Sequence, residues 1–193
     1  MFFNIVFLLP IFFAFPDLSV DRRASKIESF TVRAAGEDSL LDDCLKSGLE
    51  ASYRYEVSLC RPRLFWAPTC YDERVETHAV SMDPISETYK FTWDRLGDSI
   101  GPESVSMTDI DLIKKAMRHS RSMSTRYLTD GKKTVIEHPK AFLNVRFISE
   151  CRGEYNKTLS KISYYLTLGL VKVSGTDSGW NRFALAPAAD SKP

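Results

Sequence analysis

The sequence predicts an α+β domain, mainly antiparallel β-sheet in the form of a curled sheet or sandwich, with two to three helices. Aromatic runs at Tyr53–Leu59 and Tyr89–Trp93 alternate with polar residues, the two-residue period of strands. Apolar stripes around Leu41 and Ile113 have helical spacing. Turn signals at Asp83-Pro84 and Asp130-Gly131 join strand-like runs directly, as hairpins require.

Taken in order, Ile27 to Ala34 reads as a strand with Ile27, Phe30 and Val32 as its apolar members. A helix follows, because Leu40, Leu41, Cys44, Leu45 and Leu49 form one stripe. Ser39 with Asp42 resembles a capping box, and Glu37, Asp38, Asp42 and Asp43 suit a helix N-terminus. Tyr53, Tyr55, Val57 and Leu59 alternate with Arg54, Glu56, Ser58 and Cys60 in the clearest strand of the chain. Pro62 and Pro68 confine the next stretch to a loop. Val75 to Ser81 returns, Met82 to Ile85 turns, and Tyr89, Phe91 and Trp93 form a third strand. Residues 51–94 thus read as a three-stranded antiparallel meander with one aromatic face.

Gly97 to Glu103 reads as a loop. Ser106 with Asp109 resembles a second capping box, opening a helix through Met107, Ile110, Ile113, Ala116 and Met117. Asp130-Gly131 predicts a hairpin between Tyr127-Leu128 and Val135-Ile136, and Phe142 to Ile148 is a strand. Residues 154–170 fit a helix through Leu159, Ile162 and Leu166, while Tyr164 to Val173 also fits an extended run. Gly175 to Gly179 reads as a turn and Trp180 to Leu185 as a closing strand. Residues 25–187 form a single domain, followed by a disordered tail, 188–193.

Met1 to Pro16 contains no charged side chain and eight Phe and Leu, then ends at Asp17, Asp21, Arg22 and Arg23. A bilayer span needs about 20 apolar residues, whereas the h-region of a secretory signal is shorter. Residues 1–24 are therefore assigned as a signal peptide or signal anchor, cleaved or retained. The location this implies is outside the cytoplasm, with membrane contact only through that segment. The net charge of +1 argues against general nucleic-acid binding. In an exported chain the four cysteines suggest disulfides. Cys60 and Cys70 flank a loop that turns near Phe65, and Cys44 and Cys151 lie on apolar faces of their elements, so these are the candidate pairs, with the connectivity left open by the sequence. No metal is expected, since the nearest cysteines are ten residues apart and His78, His119 and His138 are scattered. No cofactor is expected either; the nine glycines are dispersed rather than gathered in a phosphate loop.

Several pieces in order resemble an uncharacterised bacterial family of exported proteins, domain-of-unknown-function family 4390. They are Leu45-x-x-Gly48-Leu49, Arg61-Pro62-Arg63-x-x-Trp66, Asp83 to Phe91, the helix from Ser106, and Trp180-x-x-Phe183-x-Leu185. The resemblance spans about residues 26–187, and the chain departs from it in its extra cysteines and in residues 120–137. It implies an exported or membrane-tethered bacterial protein, periplasmic or inner-membrane-anchored, with no established activity or cofactor. Members are often encoded beside a membrane sensor kinase, which implies a membrane or envelope protein as partner.

No catalytic residues are assigned. The chain has no G-x-S-x-G, and His78 is a half-exposed strand histidine, or else a base beside Glu76 or Asp83. Lys114, Lys115, Arg118, Arg121, Arg126, Lys132 and Lys133 face one acid, Asp130, within twenty residues; they read as a solvated helix C-terminus or as a surface for an anionic partner. Arg61, Arg63 and Trp66, together with Phe65, sit at a hairpin tip, where bulky aromatics have little core to enter. They are the preferred binding residues, since Arg and Trp are enriched at interaction hot spots. The function expected is that of a non-catalytic binding module, acting on a membrane partner such as a sensor kinase. The alternatives are an envelope hydrolase or transferase, and a carrier of an apolar ligand inside the curled sheet.

Overall fold

A computed structural model of the chain describes residues 17–22, 29–35, 38–71, 73–96, 101–125, 128, 140–152 and 175–185. The chain begins with β1 (Asp17–Arg22), β2 (Ser29–Ala35) and α1 (Asp38–Lys46). Then come β3 (Glu50–Arg61), β4 (Thr69–Cys70), β5 (Arg74–Asp83), β6 (Thr88–Arg95) and β7 (Glu103–Met107). α2 (Ile110–Met117), β8 (Met123–Ser124), β9 (Phe142–Arg152), β10 (Gly175–Asp177) and β11 (Asn181–Ala184) complete the described elements. The class is α+β with antiparallel sheet dominant, as the sequence implies. One sheet has eight strands and the other has three, β1-β2-β8.

β3 is the axis of the larger sheet. Along one side it pairs with β9 from Glu50↔Arg152 to Cys60↔Phe142. Along the other it pairs with β5 and then, at its far end, with β4. β6 and β7 continue from β5, so the expected meander of residues 51–94 is present and runs one strand further. The two-residue period sends Tyr53, Tyr55, Val57 and Leu59 to one face, where Leu143, Val145 and Phe147 of β9 meet them. α1 adds Leu41, Cys44 and Leu45 to this core, α2 adds Ile113 and Met117, and β2 adds Phe30, Val32 and Ala34. The aromatic face of β3 is therefore core. The other face of β3 is covered too: Ser52, Glu56, Ser58 and Cys60 are all buried. Glu56 tolerates this because Arg54 and Arg146 reach it at 2.7 and 3.3 Å.

The structure corrects several local expectations. Ser106 and Met107 belong to β7, because Val105 and Met107 prolong the apolar face of β6 opposite Phe91 and Tyr89. The cap of α2 is Asp109 itself, whose carboxylate accepts from the amides of Asp111 (2.9 Å) and Leu112 (3.2 Å). Ser39 lies inside α1, which starts at Asp38. Within Gly175 to Gly179, residues 175–177 are strand, and the bend is confined to residues 178–180. Gly175 is required there, since a Cβ would stand 2.5 Å from the Ser149 carbonyl oxygen. Asp17–Arg22, part of the stretch assigned to export, pairs with β2, so the described fold starts before residue 25. The Asp130-Gly131 hairpin, the helix-or-strand run 154–170 and the tail 188–193 lie outside the described residues.

Both expected disulfides are present. The Tyr71 amide donates to the Leu59 carbonyl, which leaves Cys60 and Cys70 as a non-hydrogen-bonded pair, the closer kind, with Cα atoms 4.0 Å apart. Cys44 and Cys151 tie α1 to β9 with Cα atoms 5.5 Å apart. Two bonds and no free cysteine fit an oxidising, extracellular-type compartment. Among the described residues no helix is long and apolar enough to cross a membrane.

The two bonds should contribute unequally. Their sequence separations are 107 and 10 residues. Cys44→Ala/Cys151→Ala should cost about 4–5 kcal/mol and Cys60→Ala/Cys70→Ala about 2–3 kcal/mol. Denaturant unfolding of the two double variants checks this, and equal losses or the reverse order would contradict it.

Candidate functional site

The first candidate is a buried polar cluster on the core face. Alternation along β5 points Glu76 and His78 inward. Register sets His78 between Tyr53 and Trp93, and Glu76 between Tyr55 and Arg95. The Glu76 carboxylate then collects four donors. On Oε1 these are His78 Nε2 (2.8 Å) and the Arg121 amide (2.6 Å). On Oε2 they are Arg95 Nε (3.0 Å) and Nη2 (2.6 Å). Burial alone would raise its pKa, but the hydrogen bond and charge of His78, the Arg121 amide and Arg95 hold it below the usual glutamate value. Burial, then Tyr53 and Glu76, push Tyr55 well above the usual tyrosine value. Its hydroxyl stays protonated and donates to the Met117 carbonyl at 2.6 Å, capping α2 from below. The Arg121 guanidinium lies 5.1 Å from the Trp93 ring centre.

This cluster binds segments of the fold to each other. After α2, the Ala34 amide donates to the Arg118 carbonyl, and the Ser120 amide to the Val32 carbonyl. Arg121 then turns to Glu76. Residues 118–121 thus bridge the two sheets. His78 and Glu76 are only 2 % and 1 % exposed. The half-exposed histidine expected from sequence is instead a core residue, with Tyr55 and Phe91 rings packed edge-on at 5.5 and 5.6 Å. Asp83 is not its partner. It stands at the exposed end of β5 on the other face, with its carboxylate accepting from the Ile85 amide at 2.9 Å.

The second candidate is the tip between β3 and β4. Arg61 ends β3, and Arg63 and Trp66 follow in the loop; all three are exposed. Leu64, Phe65 and Trp66 show 81, 93 and 79 % of their surface, making three consecutive large apolar side chains outside the core. Phe65 has φ 73°, the left-handed region that bulky residues avoid. No carboxylate among the described residues pairs with Arg61 or Arg63.

The basic stretch divides. Lys114 reaches Asp42 at 2.8 Å, Arg118 pairs with Asp38, and Arg121 stands 3.7 Å from Glu103. These cations join α2 to α1 and to β7. A cleft of about 480 Å³ between the helices is lined by both signs, Arg33, Lys115 and His119 among them with Asp38 and Asp111. Arg126, Lys132, Lys133 and His138 lie outside the described residues. Among the described residues no group of three metal-ligating side chains converges.

Sequence reasoning missed Arg95 and Arg121 as partners of Glu76. Arg95 shares the parity of Phe91 and Trp93, the one signal that points it inward. Leu64 was missed as well, since a loop residue carries no period. No family model, curated protein or solved structure matches the chain.

Glu76→Gln should cost about 3–5 kcal/mol at neutral pH, because Arg95 loses its buried counter-charge. The folded pKa of Glu76 is lowered, so its contribution is present above about pH 4.3 and is lost as pH falls through the folded value. The gap between wild type and Glu76→Gln in urea unfolding should therefore narrow from pH 7 to pH 3. A gap that stays constant would show that the ionised carboxylate is not what holds the cluster.

Proposed function

We propose that this chain is a non-catalytic binding module of an oxidising cell-envelope compartment, and that it engages its partner through the tip at residues 61–69. One observation carries this reading: Leu64, Phe65 and Trp66 stand exposed in succession beside Arg61 and Arg63, at a point where the core has no use for them. Arg and Trp are both enriched at interaction hot spots. The apolar run at Met1–Pro16 and the two disulfides support export. The resemblance to the exported family 4390 supports an envelope setting and a membrane-associated partner such as a sensor kinase.

The burial of His78 and Glu76 weighs against an envelope hydrolase or transferase, since a base must reach substrate. The filling of the core face by Tyr53, Tyr55, Phe91 and Phe147 weighs against a carrier with an internal cavity.

Trp66→Ala separates contact from core. Its stability should stay within about 0.5 kcal/mol of wild type, as for surface substitutions generally. Capture of envelope partners by chemical cross-linking should fall. A stability loss of about 3–5 kcal/mol, the cost of deleting a buried large aromatic, would refute the contact-site reading. So would protein and lipid adducts that are both unchanged.

A further inference from the structure

The tip has a composition that selects among partners. Residues 61–69 contain two arginines and no acid. Single exposed apolar residues are ordinary on a protein surface, but three large ones in succession are not. Here they lie on a convex projection at the end of a strand, not in a groove. A convex tip with an apolar crown and a cationic base matches a bilayer interface. There the crown enters the region between head groups and acyl chains, where Trp is favoured, and the base meets anionic phosphates. A protein partner would instead have to supply a deep apolar pocket ringed by carboxylates.

The backbone supports the same reading. Phe65, the most exposed of the three, is held at φ 73°. A bulky residue in that region costs energy, and such strain clusters at active sites, ligand clamps and switch regions. Pro62 and Pro68 restrict the loop, and the Cys60–Cys70 bond clamps its base. The tip is thus restrained before it meets anything, which lowers the entropy cost of association.

Resting on the contact-site reading above, we infer that the tip docks on an anionic phospholipid bilayer. Leu64, Phe65 and Trp66 insert at the interface, and Arg61 and Arg63 bind head-group phosphates. This adds a second membrane contact to the one expected of the N-terminal run.

Tryptophan fluorescence of the full chain tests this. The chain has three tryptophans, Trp66, Trp93 and Trp180, and none lies in Met1–Pro16, so insertion of that run adds no signal of its own. Vesicles of phosphatidylcholine with brominated acyl chains are compared with and without phosphatidylglycerol. Quenching is expected with the anionic vesicles, and Trp66→Phe should abolish it. Arg61→Gln/Arg63→Gln should weaken binding to the anionic vesicles about 25-fold, at about fivefold per basic residue. Quenching that is equal in both vesicle types, or that survives Trp66→Phe, overturns the inference. If quenching is absent but Trp66→Ala still depletes cross-linked protein adducts, the lipid inference falls and the contact-site reading stands. If quenching is absent and the adducts are unchanged, both fall.

Discussion

Along β3 the backbone is hydrogen-bonded on both flanks, to β9 and to β5 and β4, and side chains on both faces are buried. A strand held this way cannot slip: a shift of one residue would turn Tyr53, Tyr55, Val57 and Leu59 out of the core and put Arg54 and Glu56 into it. The elements packed on β3 take their place from this register. It sets Tyr55 under α2, Cys60 opposite Cys70 and Ala51 opposite Cys151. The same strand ends at Arg61, so its rigidity passes straight into the tip.

Glu76 is the second organising group, and its role follows from the first. β5 is in register with β3, which carries Glu76 beneath the segment leaving α2. A buried carboxylate is unfavourable unless its oxygens are satisfied. Here two residues of the meander, His78 and Arg95, supply three donors, and the Arg121 amide supplies the fourth. Residues 118–120 also bond to β2, so the one carboxylate helps hold the smaller sheet against the larger. The histidine that resembles a catalytic base is thereby consumed in assembling the core.

Much of this was legible in the residues. The strict alternation from Tyr53 to Leu59 and from Tyr89 to Trp93 revealed the meander, and the cysteine positions revealed both disulfides. The boundary at residues 106–109 was misread because Met107 and Ile110 have helical spacing, while Val105 and Met107 have strand spacing. Only the face shared with β6 decides between them. β1 was hidden by the apolar run before it, although Leu18 and Val20 alternate with Asp17, Ser19 and Asp21. The tip was visible because Arg61, Arg63, Phe65 and Trp66 interrupt the period where prolines forbid a continued strand. The Glu76–Arg95 pair, nineteen residues apart in sequence, was not visible, because it exists only through strand register.

The fold thus buries its polar cluster between the sheets and leaves exposed a clamped apolar and cationic tip, the surface proposed for contact. A photoreactive residue placed at Phe65 or at Ile85, in the chain expressed in its native envelope, tests this division most directly. Both side chains are 93 % exposed. They stand at opposite ends of the sheet, since β3 and β5 run antiparallel. Adducts formed from position 65 and none from position 85 are expected if the tip is the working surface. Adducts from position 85 alone, or equal labelling from both, would contradict it.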